Sequence, residues 1–424
     1  EVDVLTGSDP RDIIHPKCLN PARNFISSEE WRLCRGNQIV GTAYTTCSTN
    51  DPEFVKHFRD DAYYGDICPD YYITEVAVRE GPARTRVRYV YTKEATNAIT
   101  SQEKEILQCN TFIITVPTPI KKNKKPDLRY LKQASQIVGR VIKKADVVIY
   151  ESTVYPGVTE DICIPIVEKL SKLKMNVDFF CGYSPERINP GDKKHRLVNI
   201  KKVTSGSSKE SSNFVDQLYK SIIKAGTFKA KDIKTAEAAK VIENTQRDVN
   251  IALMNEFSMV FNKIGLDTHS ILEAARTKWN FLPFEPGLVG GHCIGIDPYY
   301  LAYKSIKSGH TPEMILSGRK INDSMAKFVS EEILSLMKYK GLKTKTSKVL
   351  VLGFSFKENC PDHRNTKVYD LYNHLSQKIP KVDVYDPMID IREAKKSYDV
   401  NFINKVPKKS YNVIIIAVPH SSFI

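Results

Sequence analysis

The sequence predicts an α/β protein with two doubly wound parallel sheets joined by a long central helix. Two short β-branched apolar runs, at 111–116 and 146–150, flank a stretch of helical spacing at 127–143. Strand-like runs and helical stretches alternate again from residue 348, and 230–265 has the pattern of one long helix. Such alternation is typical of parallel sheets covered by helices.

The first predicted sheet depends on three apolar runs. TFIITV at 111–116 and DVVIY at 146–150 are typical of buried parallel strands, and a third strand is expected at 178–182. Between the first two runs, apolar residues recur at helical spacing, namely Leu128, Leu131, Ala134, Ile137, Val138 and Val141. This arrangement predicts a β-α-β unit.

The middle of the chain is predicted to be helical, because 230–265 contains few helix breakers. The apolar residues that keep to one broad face are Ala239, Ile242, Ile251 and Met254. A helix of this length commonly bridges two domains and forms a dimer interface. We therefore expect a homodimer or higher oligomer through it. Further helices are expected at 267–278 and from about 299 to 340.

The last part of the chain predicts a second, smaller sheet. KVLVLG at 348–353 and VIIIAV at 413–418 are apolar runs, and a further strand is expected at 382–385. A helix is predicted at 364–378. Because the chain ends soon after the last strand and does not start with Met, we expect both termini to be incomplete.

Residues 1–97 do not fit the alternating pattern. Residues 72–79 and 84–92 alternate polar and apolar side chains about Gly81-Pro82, which predicts a β-hairpin. The remainder of this segment is rich in Asp, Arg, Pro and Tyr and is assigned no fold. The predicted segments are 1–97 (unassigned), 98–229 (first α/β domain), 230–340 (helical domain) and 341–424 (second, incomplete α/β domain).

Nine cysteines are scattered along the chain without CxxC pairs. This distribution argues against a zinc site, so no metal site is predicted, and it favours reduced thiols in a cytoplasmic enzyme. No apolar run approaches the roughly 18 residues that a membrane-spanning helix needs. The sequence therefore predicts no membrane association.

The stretch GLVGGHCIGIDP, at 287–298, contains one cysteine, Cys293, among four glycines, with a carboxylate, Asp297, four residues later. Glycines allow positive φ and let the backbone approach a ligand closely. A thiol in such a setting is a candidate covalent nucleophile. The alternative is a structural cysteine beside a tight turn, which is the commoner case for an isolated cysteine.

Six stretches together resemble one enzyme family. GLVGGHCIGIDPYYL resembles the cysteine segment of the UDP-glucose/GDP-mannose dehydrogenases, and most closely the branch that oxidises UDP-N-acetylhexosamines at C6. The others, in the family's order and approximate spacing, are FIITVPTPI, YESTVYPG, GYSPERINPGD, AEAAKVIENTQRD and GFSFKENCPDHRNT. They extend from about residue 100 to the last residue. The resemblance implies two Rossmann-like domains, NAD as cofactor and a nucleotide-sugar substrate.

The resemblance also implies a catalytic set. Cys293 attacks a C6 aldehyde to give a thiohemiacetal, which is oxidised to a thioester, and Asp297 assists water or proton handling. If their segment forms a helical turn, the spacing of four brings both to one side. Lys240 and Asn244 are also four apart on the predicted helix, where the ammonium can stabilise an oxyanion. For an isolated Lys/Asn pair, a solvated helix face would be the preferred interpretation.

Glu186 and Thr153 follow predicted strands, where ligand crevices of open α/β sheets lie. A carboxylate there can act as a general base, although a surface salt bridge between Glu186 and Arg187 is the alternative. The resemblance implies cofactor contacts at Pro117, Thr118, Thr153 and Arg364, and substrate contacts at Glu186, Arg187, Lys240, Arg319 and Lys357. Asn322 is a further candidate substrate contact, and Arg247 is a candidate substrate or interface residue.

One part of the family pattern is missing. Family members open with a strand, a GxGxxG turn and a helix, and this turn places the cofactor pyrophosphate on a helix N-terminus. The chain contains no GxGxxG, so residues 1–97 stand in place of the usual first β-α-β unit. A nucleotide-sugar binder without a full NAD site is therefore an alternative to the enzyme.

The leading hypothesis is an NAD-dependent, four-electron oxidation of a UDP-N-acetylhexosamine to its uronate, for surface polysaccharide synthesis. His292 favours this branch, because UDP-glucose members usually carry another residue there. The gluco, manno and galacto substrates are not distinguished. The formal net charge of +14 also raises nucleic-acid binding, but lysine pairs without interleaved aromatics disfavour it, and a basic surface suits ligands that carry pyrophosphates.

Overall fold

The computed structural model describes residues 106–107, 109–189, 192, 195–407 and 411–423, together with the backbone of five earlier strands. These strands are β1 (Asp12–Ile14), β2 (Glu30–Arg35), β3 (Gln38–Tyr44), β4 (Glu75–Val78) and β5 (Thr85–Val90). β4 and β5 pair antiparallel and lie within the two ranges predicted for a hairpin. The chain forms two compact units, Glu1–Val241 and Ile242–Ile424.

The first unit contains a sheet with the strand order β1 to β10. Its later strands are β6 (Thr111–Ile114), β7 (Val147–Tyr150), β8 (Phe180–Tyr183), β9 (Lys202–Gly206) and β10 (Thr227–Lys229). Strands β5 to β8 are parallel neighbours. Its helices are α1 (Arg129–Val141), α2 (Ile164–Ser171), preceded by a π-turn at Thr159–Cys163, and α3 (Lys209–Lys220).

The parallel strands of this unit form because their residues are apolar and buried on both faces. Every residue of β6 and β7 is buried, and α1 covers the sheet with the apolar face that its spacing predicted. Gly206 ends β9 where a side chain would not fit, since an added Cβ would lie 2.3 Å from the backbone nitrogen of Ser212. The close approach of β9 to α3 therefore requires glycine at this position.

The second unit combines long helices with a small parallel sheet. The helix α4 (Ile233–Ile264) begins in the first unit and is followed by α5 (Thr268–Arg276), α6 (Asp297–Lys307) and α7 (Glu313–Tyr339). Strands β11 (Lys348–Leu352), β12 (Lys381–Tyr385) and β13 (Val413–Ile416) pair in the order β12-β11-β13, all parallel. Helices α8 (Val368–Ser376) and α9 (Ile391–Ser397) complete this α/β part.

The predicted fold class, mixed α/β with parallel sheets and a long central helix, is confirmed, and two details differ. β8 and β9 pair antiparallel; the described part of their connection holds only a 3₁₀ turn at Leu197–Asn199, whereas parallel neighbours need a longer crossover. The helix predicted from residue 364 begins at Val368, because Asn365 has a φ of +53° and ends the preceding turn.

The predicted domain boundaries stay a prediction. Within the described ranges, no helix combines the length and the apolar character that crossing a membrane requires.

Candidate active site

Cys293 lies in a helical turn that leads into α6. The backbone N–H groups of Ile296 and Asp297 both donate to the carbonyl oxygen of Cys293, at 3.0 and 2.9 Å. Asp297 is the first residue of α6, and Pro298 is the second. A proline is tolerated in this first turn because the backbone N–H that it lacks would have no partner within the helix. Cys293 is half-buried and forms no disulfide. The helical turn on which the predicted alignment of Cys293 and Asp297 depended is therefore present.

The Asp297 carboxylate is fixed by the central helix. The Asn244 amide on α4 donates from Nδ2 to Asp297 Oδ2 at 2.6 Å, and both side chains are buried. A buried carboxylate with a defined donor keeps one orientation, because leaving it unpaired would cost about 1–3 kcal/mol or more. The structure thus brings together two residues, 53 apart in sequence, that both belong to the predicted catalytic set but had been assigned to different pairs.

Sequence reasoning missed Asn255, which holds the other end of the glycine segment. Its amide donates to the carbonyl oxygen of Gly287 at 3.0 Å and accepts the Gly287 N–H at 2.8 Å, and its side chain is fully buried. Asn244 and Asn255 are eleven residues apart, which is three helical turns and therefore the same face of α4. That spacing was the available sequence signal.

The glycines of the cysteine segment allow close packing against the loops that surround β11 and α8. Gly291 has a φ of +81°, and an added Cβ would lie 2.8 Å from the Phe356 ring. A Cβ on Gly290 would lie 3.0 Å from the carbonyl oxygen of Asn365, which also accepts the Gly291 N–H at 3.3 Å. A side chain at either glycine would displace the segment that carries Cys293.

A cavity of about 180 Å³ lies at the carboxyl ends of β11 and β13. Its lining comes from the glycine segment (Leu288, Gly290), the loop after β11 (Ser355–Glu358), the start of α8 (366–368) and the loop after β13 (417–419). Lys357, predicted as a substrate contact, lies in this lining. Crevices at the carboxyl ends of parallel strands are the usual ligand sites of such sheets.

Arg364 is a largely exposed residue that pairs with Asp362. Its guanidinium donates to Asp362 through Nε at 3.0 Å and through Nη2 at 2.6 Å. Burial raises the pKa of the Asp362 carboxyl, but the hydrogen bonds from Arg364 outweigh this effect and hold that pKa below its usual value. His292 Nδ1 lies 3.6 Å from Asp362 Oδ2. The ionised Asp362 therefore faces both basic side chains.

Arg319 and Asn322 lie in a buried network on α7 and not in the lining of this cavity. Arg319 donates to Asp248 at 2.6 Å and to Asp323 at 2.6 Å, and Asn322 donates to Asp248 at 2.8 Å. Only 3% of the Arg319 side chain is exposed. Substrate contact by these two residues stays a prediction, while the observed contacts join α7 to α4.

In the first unit, side-chain hydrogen bonds join the loop after β6 to the loop after β7 at the edge of the sheet. Thr118 donates from its hydroxyl to the carbonyl oxygen of Thr153 at 2.7 Å, and Ser152 donates to that of Val116 at 2.6 Å. Pro117 is exposed between these bonds. Three of the predicted cofactor residues therefore lie together where a parallel sheet binds ligands.

Glu186 follows β8 and is held by its own loop. Its Oε1 accepts the backbone N–H groups of Arg187 and Ile188, both at 2.6 Å. Its Oε2 lies 3.6 Å from Nζ of Lys202. The Arg187 guanidinium donates to the backbone carbonyl of Lys201 at 2.6 Å, so the alternative salt bridge between Glu186 and Arg187 is not the arrangement observed.

Lys240 lies on α4 with 8% of its surface exposed, one turn after a buried carboxylate that sequence reasoning did not single out. Glu237 is fully buried and accepts the backbone N–H groups of Gly157 at 2.6 Å and Thr159 at 2.9 Å. These groups lie just after Thr153 at the start of a helical turn. Glu237 thus fixes the Thr153 loop to the helix that carries Lys240.

Burial raises the pKa of Glu237 to about 7. The folded protein therefore binds this proton more tightly than the unfolded chain, and ionisation costs stability as the pH rises between about 4.5 and 7. The expected loss is roughly 3 kcal/mol, complete above this window.

Glu237→Gln should remove this part of the pH dependence, because an amide does not titrate. The midpoint temperature of unfolding, measured at half-unit steps from pH 4.5 to 8, checks this. Glu256→Gln, an exposed position on the same helix, is the matched control and should follow the unsubstituted protein. A Glu237→Gln profile that falls as steeply as that of the unsubstituted protein would contradict the assignment.

Three family models match the chain. The NAD binding domain of the UDP-glucose/GDP-mannose dehydrogenase family matches residues 74–223, its central domain matches 234–324, and its UDP binding domain matches 350–424. The chain belongs to the UDP-glucose/GDP-mannose dehydrogenase family. The resemblance inferred from the six sequence stretches is confirmed, and the first match begins within the segment that was left unassigned.

Curated relatives agree with this assignment. The chain is 55% identical over 324 residues to UDP-N-acetyl-D-glucosamine 6-dehydrogenase of Salmonella typhi, covering 76% of each chain. It is 54% identical over 332 residues to the enzyme of the same name from Pseudomonas aeruginosa, covering 78% of this chain and 79% of that one. As a member of this dehydrogenase family, the chain is an NAD-dependent nucleotide-sugar 6-dehydrogenase.

Solved structures agree with the fold. The UDP-D-ManNAc dehydrogenase of Pyrococcus horikoshii has a TM-score of 0.67 at 30% identity, covering 78% of each chain. The UDP-N-acetyl-mannosamine dehydrogenase of Staphylococcus aureus has a TM-score of 0.64 at 29% identity, covering 74% of this chain and 73% of that one. The dehydrogenase family thus accounts for both α/β parts and the helices between them.

Proposed function

We propose that this dehydrogenase oxidises the C6 hydroxyl of a UDP-N-acetylhexosamine, with UDP-N-acetylglucosamine as first choice, to the carboxylate. The observation that carries the proposal is the turn in which Cys293 precedes an Asp297 carboxylate fixed by Asn244. The two relatives above 50% identity named in the previous section support the N-acetylglucosamine substrate. The product is an activated sugar donor suited to polysaccharide synthesis.

In the proposed reaction, each residue has one task. As the C6 alcohol becomes an aldehyde, its hydroxyl proton would pass to solvent and its hydride to the bound cofactor, and Lys240 would stabilise the negative oxygen that develops. The Cys293 thiolate adds to the aldehyde carbon, and loss of hydride from the resulting thiohemiacetal leaves a thioester. Water that Glu186 or Asp297 deprotonates then attacks the thioester carbon, which releases the thiol and the uronate.

The described residues fit the nicotinamide end of NAD, which supplies the hydride acceptor for each oxidation when bound. Thr118 and Thr153 lie on joined loops at the carboxyl ends of β6 and β7, and Pro117 between them is exposed. In this proposal, Thr153 and Thr118 orient the cofactor ring, and Arg364 offers an exposed guanidinium to a cofactor phosphate.

The nucleotide end of the substrate is proposed to bind in the cavity at the carboxyl ends of β11 and β13. Its lining includes the basic residue Lys357 and Gly290 of the glycine segment, which suit a diphosphate beside a sugar. The match of residues 350–424 to the UDP binding domain supports this placement. Gly290, in the same lining, is three residues before Cys293.

We also propose that the enzyme is a homodimer or higher oligomer through α4. Four apolar side chains on this helix, Ile242, Leu253, Val260 and Ile264, are 42–62% exposed. Exposed apolar side chains along one helix are typical of an interface with another chain. A cytoplasmic location is proposed as well, since none of the five described cysteines forms a disulfide.

A second candidate is a nucleotide-sugar binder that does not turn over. The observation that favours it is the lack of a GxGxxG turn in the sequence. Without the backbone N–H groups of such a turn, much of the pyrophosphate binding would be lost. The two candidates share the substrate site and differ in NAD-dependent turnover.

We expect two NADH per uronate when purified protein is given UDP-N-acetylglucosamine and saturating NAD. The reason is that Cys293 retains the aldehyde as a thiohemiacetal, so both oxidations occur before release. Absorbance at 340 nm gives NADH, and anion-exchange chromatography gives the uronate. UDP-glucose, UDP-N-acetylmannosamine and UDP-N-acetylgalactosamine serve as matched substrates. Binding of the sugar nucleotide without NADH would favour the second candidate.

A further inference from the structure

A buried lysine with two carboxylate neighbours lies behind Glu186 in the first unit. Lys202 Nζ is 3.1 Å from Oε2 of Glu151 and 3.6 Å from Oε2 of Glu186. The Lys202 side chain is 3% exposed and that of Glu151 is 8% exposed, whereas 42% of the Glu186 side chain is exposed. The Lys202 ammonium thus lies close to one buried carboxylate, Glu151, and one partly exposed carboxylate, Glu186.

We propose that Lys202 is a positioning residue that holds Glu186 ionised and oriented for its work as the base, and that Glu151 sets the strength of this hold. The proposal rests on the proposed function, in which Glu186 is one of the two carboxylates that can act on water. It adds two residues, Lys202 and Glu151, to which sequence reasoning gave no role.

The geometry separates the two oxygens of Glu186. Oε1 accepts hydrogen bonds from the backbone N–H groups of Arg187 and Ile188, and these bonds hold it against its own loop. Oε2 is the oxygen that faces the Lys202 ammonium, and it belongs to the more exposed of the two carboxylates. A nearby ammonium stabilises the ionised carboxylate, which is the form that can accept a proton from water.

Glu151 competes with Glu186 for the same ammonium. It makes the shorter contact with Lys202, and the Tyr219 hydroxyl donates to its other oxygen. Although burial alone would lower the pKa of Lys202, the charges of Glu151 and Glu186 raise it above its ordinary value. Burial raises the pKa of the Glu151 carboxyl, and the neighbouring Lys202 charge opposes that rise. In its ionised form Glu151 repels Glu186 and draws Lys202 inward.

The ammonium has little freedom to move. Lys202 is the first residue of β9 and pairs with Thr227 of β10, and its Nζ lies 5.0 Å from the centre of the Tyr219 ring. The described charged and titratable groups that face Glu151 and Glu186 come from two elements: Lys202 on β9, which faces both carboxylates, and Tyr219 on α3, which faces Glu151. A buried ion pair is weak evidence for stability alone, so a functional readout is required.

The test compares two variants that act in opposite directions. Lys202→Gln removes the ammonium, so the pH at which half of Glu186 reacts with a carbodiimide should rise. Glu151→Gln removes the competing carboxylate and leaves the ammonium to Glu186, so the same half-labelling pH should fall. Glu151→Gln retains an acceptor for Tyr219 and keeps the test decisive if Lys202→Gln does not fold.

The first readout is carbodiimide labelling of Glu186 with glycine ethyl ester in the folded protein, measured by peptide mass spectrometry across pH 4 to 8. Carbodiimides react with the protonated carboxyl, so the pH of half-labelling reports its protonation without requiring turnover. The second readout is the acidic limb of the pH profile of kcat. Lys220→Gln, which removes the more exposed pair with Asp216 at 2.8 Å, is the matched control and should shift neither.

Opposite shifts of the half-labelling pH in the two variants would establish the proposal. No shift, or the same shift in both folded variants, would overturn it, and so would a Lys220→Gln variant that moves as far. If labelling shifts as expected but the unsubstituted protein forms no NADH, the positioning by Lys202 stands and the proposed function fails. If the enzyme turns over and labelling does not shift, the reverse holds.

Discussion

Cys293→Ser should reduce uronate formation by about a thousandfold or more while leaving nucleotide-sugar binding nearly unchanged. The substitution exchanges one atom, and the hydrogen bonds of the turn go to the backbone carbonyl of residue 293, not to its side chain. A serine hydroxyl is a much weaker nucleophile than a thiolate near neutral pH. The aldehyde would then no longer be held as a covalent adduct for the second oxidation.

The measurement is uronate per enzyme by chromatography, with UDP-N-acetylglucosamine binding followed by calorimetry on the same preparation. Cys360→Ser is the control, because Cys360 is a buried cysteine of the same unit that forms no disulfide and has no role in the proposed reaction. It should retain activity within a few-fold. Turnover by Cys293→Ser at the unsubstituted rate would remove this cysteine from the mechanism.

Replacing residues 1–97 with a strand, a GxGxxG turn and a helix should strengthen NAD binding by about a thousandfold, which is about 4 kcal/mol. The backbone N–H groups at the start of the grafted helix would bind the pyrophosphate. The grafted strand has a place to pair, since β5 lies parallel beside β6 with Val87 opposite Thr111.

Titration of the protein with NADH, followed by its fluorescence, measures this change. The control is the same graft with alanine at the three glycine positions, which removes the close backbone approach but keeps the strand and helix. The control should bind no better than the natural chain. Equal NADH affinity before and after the graft would mean that residues 1–97 already supply a cofactor site.

The sequence alone was enough to predict the main strands and helices and the enzyme family. Strands such as β6 and β7 were predictable because runs of β-branched apolar residues have few alternatives to a buried strand. The long helix α4 was predictable because its apolar spacing persists over many turns without a breaker. The helical turn from Cys293 to Asp297 was also accessible, since a spacing of four is local in the chain.

Only the tertiary structure decided which distant polar groups meet. Asn255 bonds to Gly287, Glu237 to the backbone at Gly157, and Lys202 to Glu151, across separations of 32, 80 and 51 residues. Polar side chains leave no periodic pattern in a sequence, and their partners depend on strand order and loop paths. Burial then makes each such contact necessary, because an unpaired polar group costs free energy that the fold must avoid.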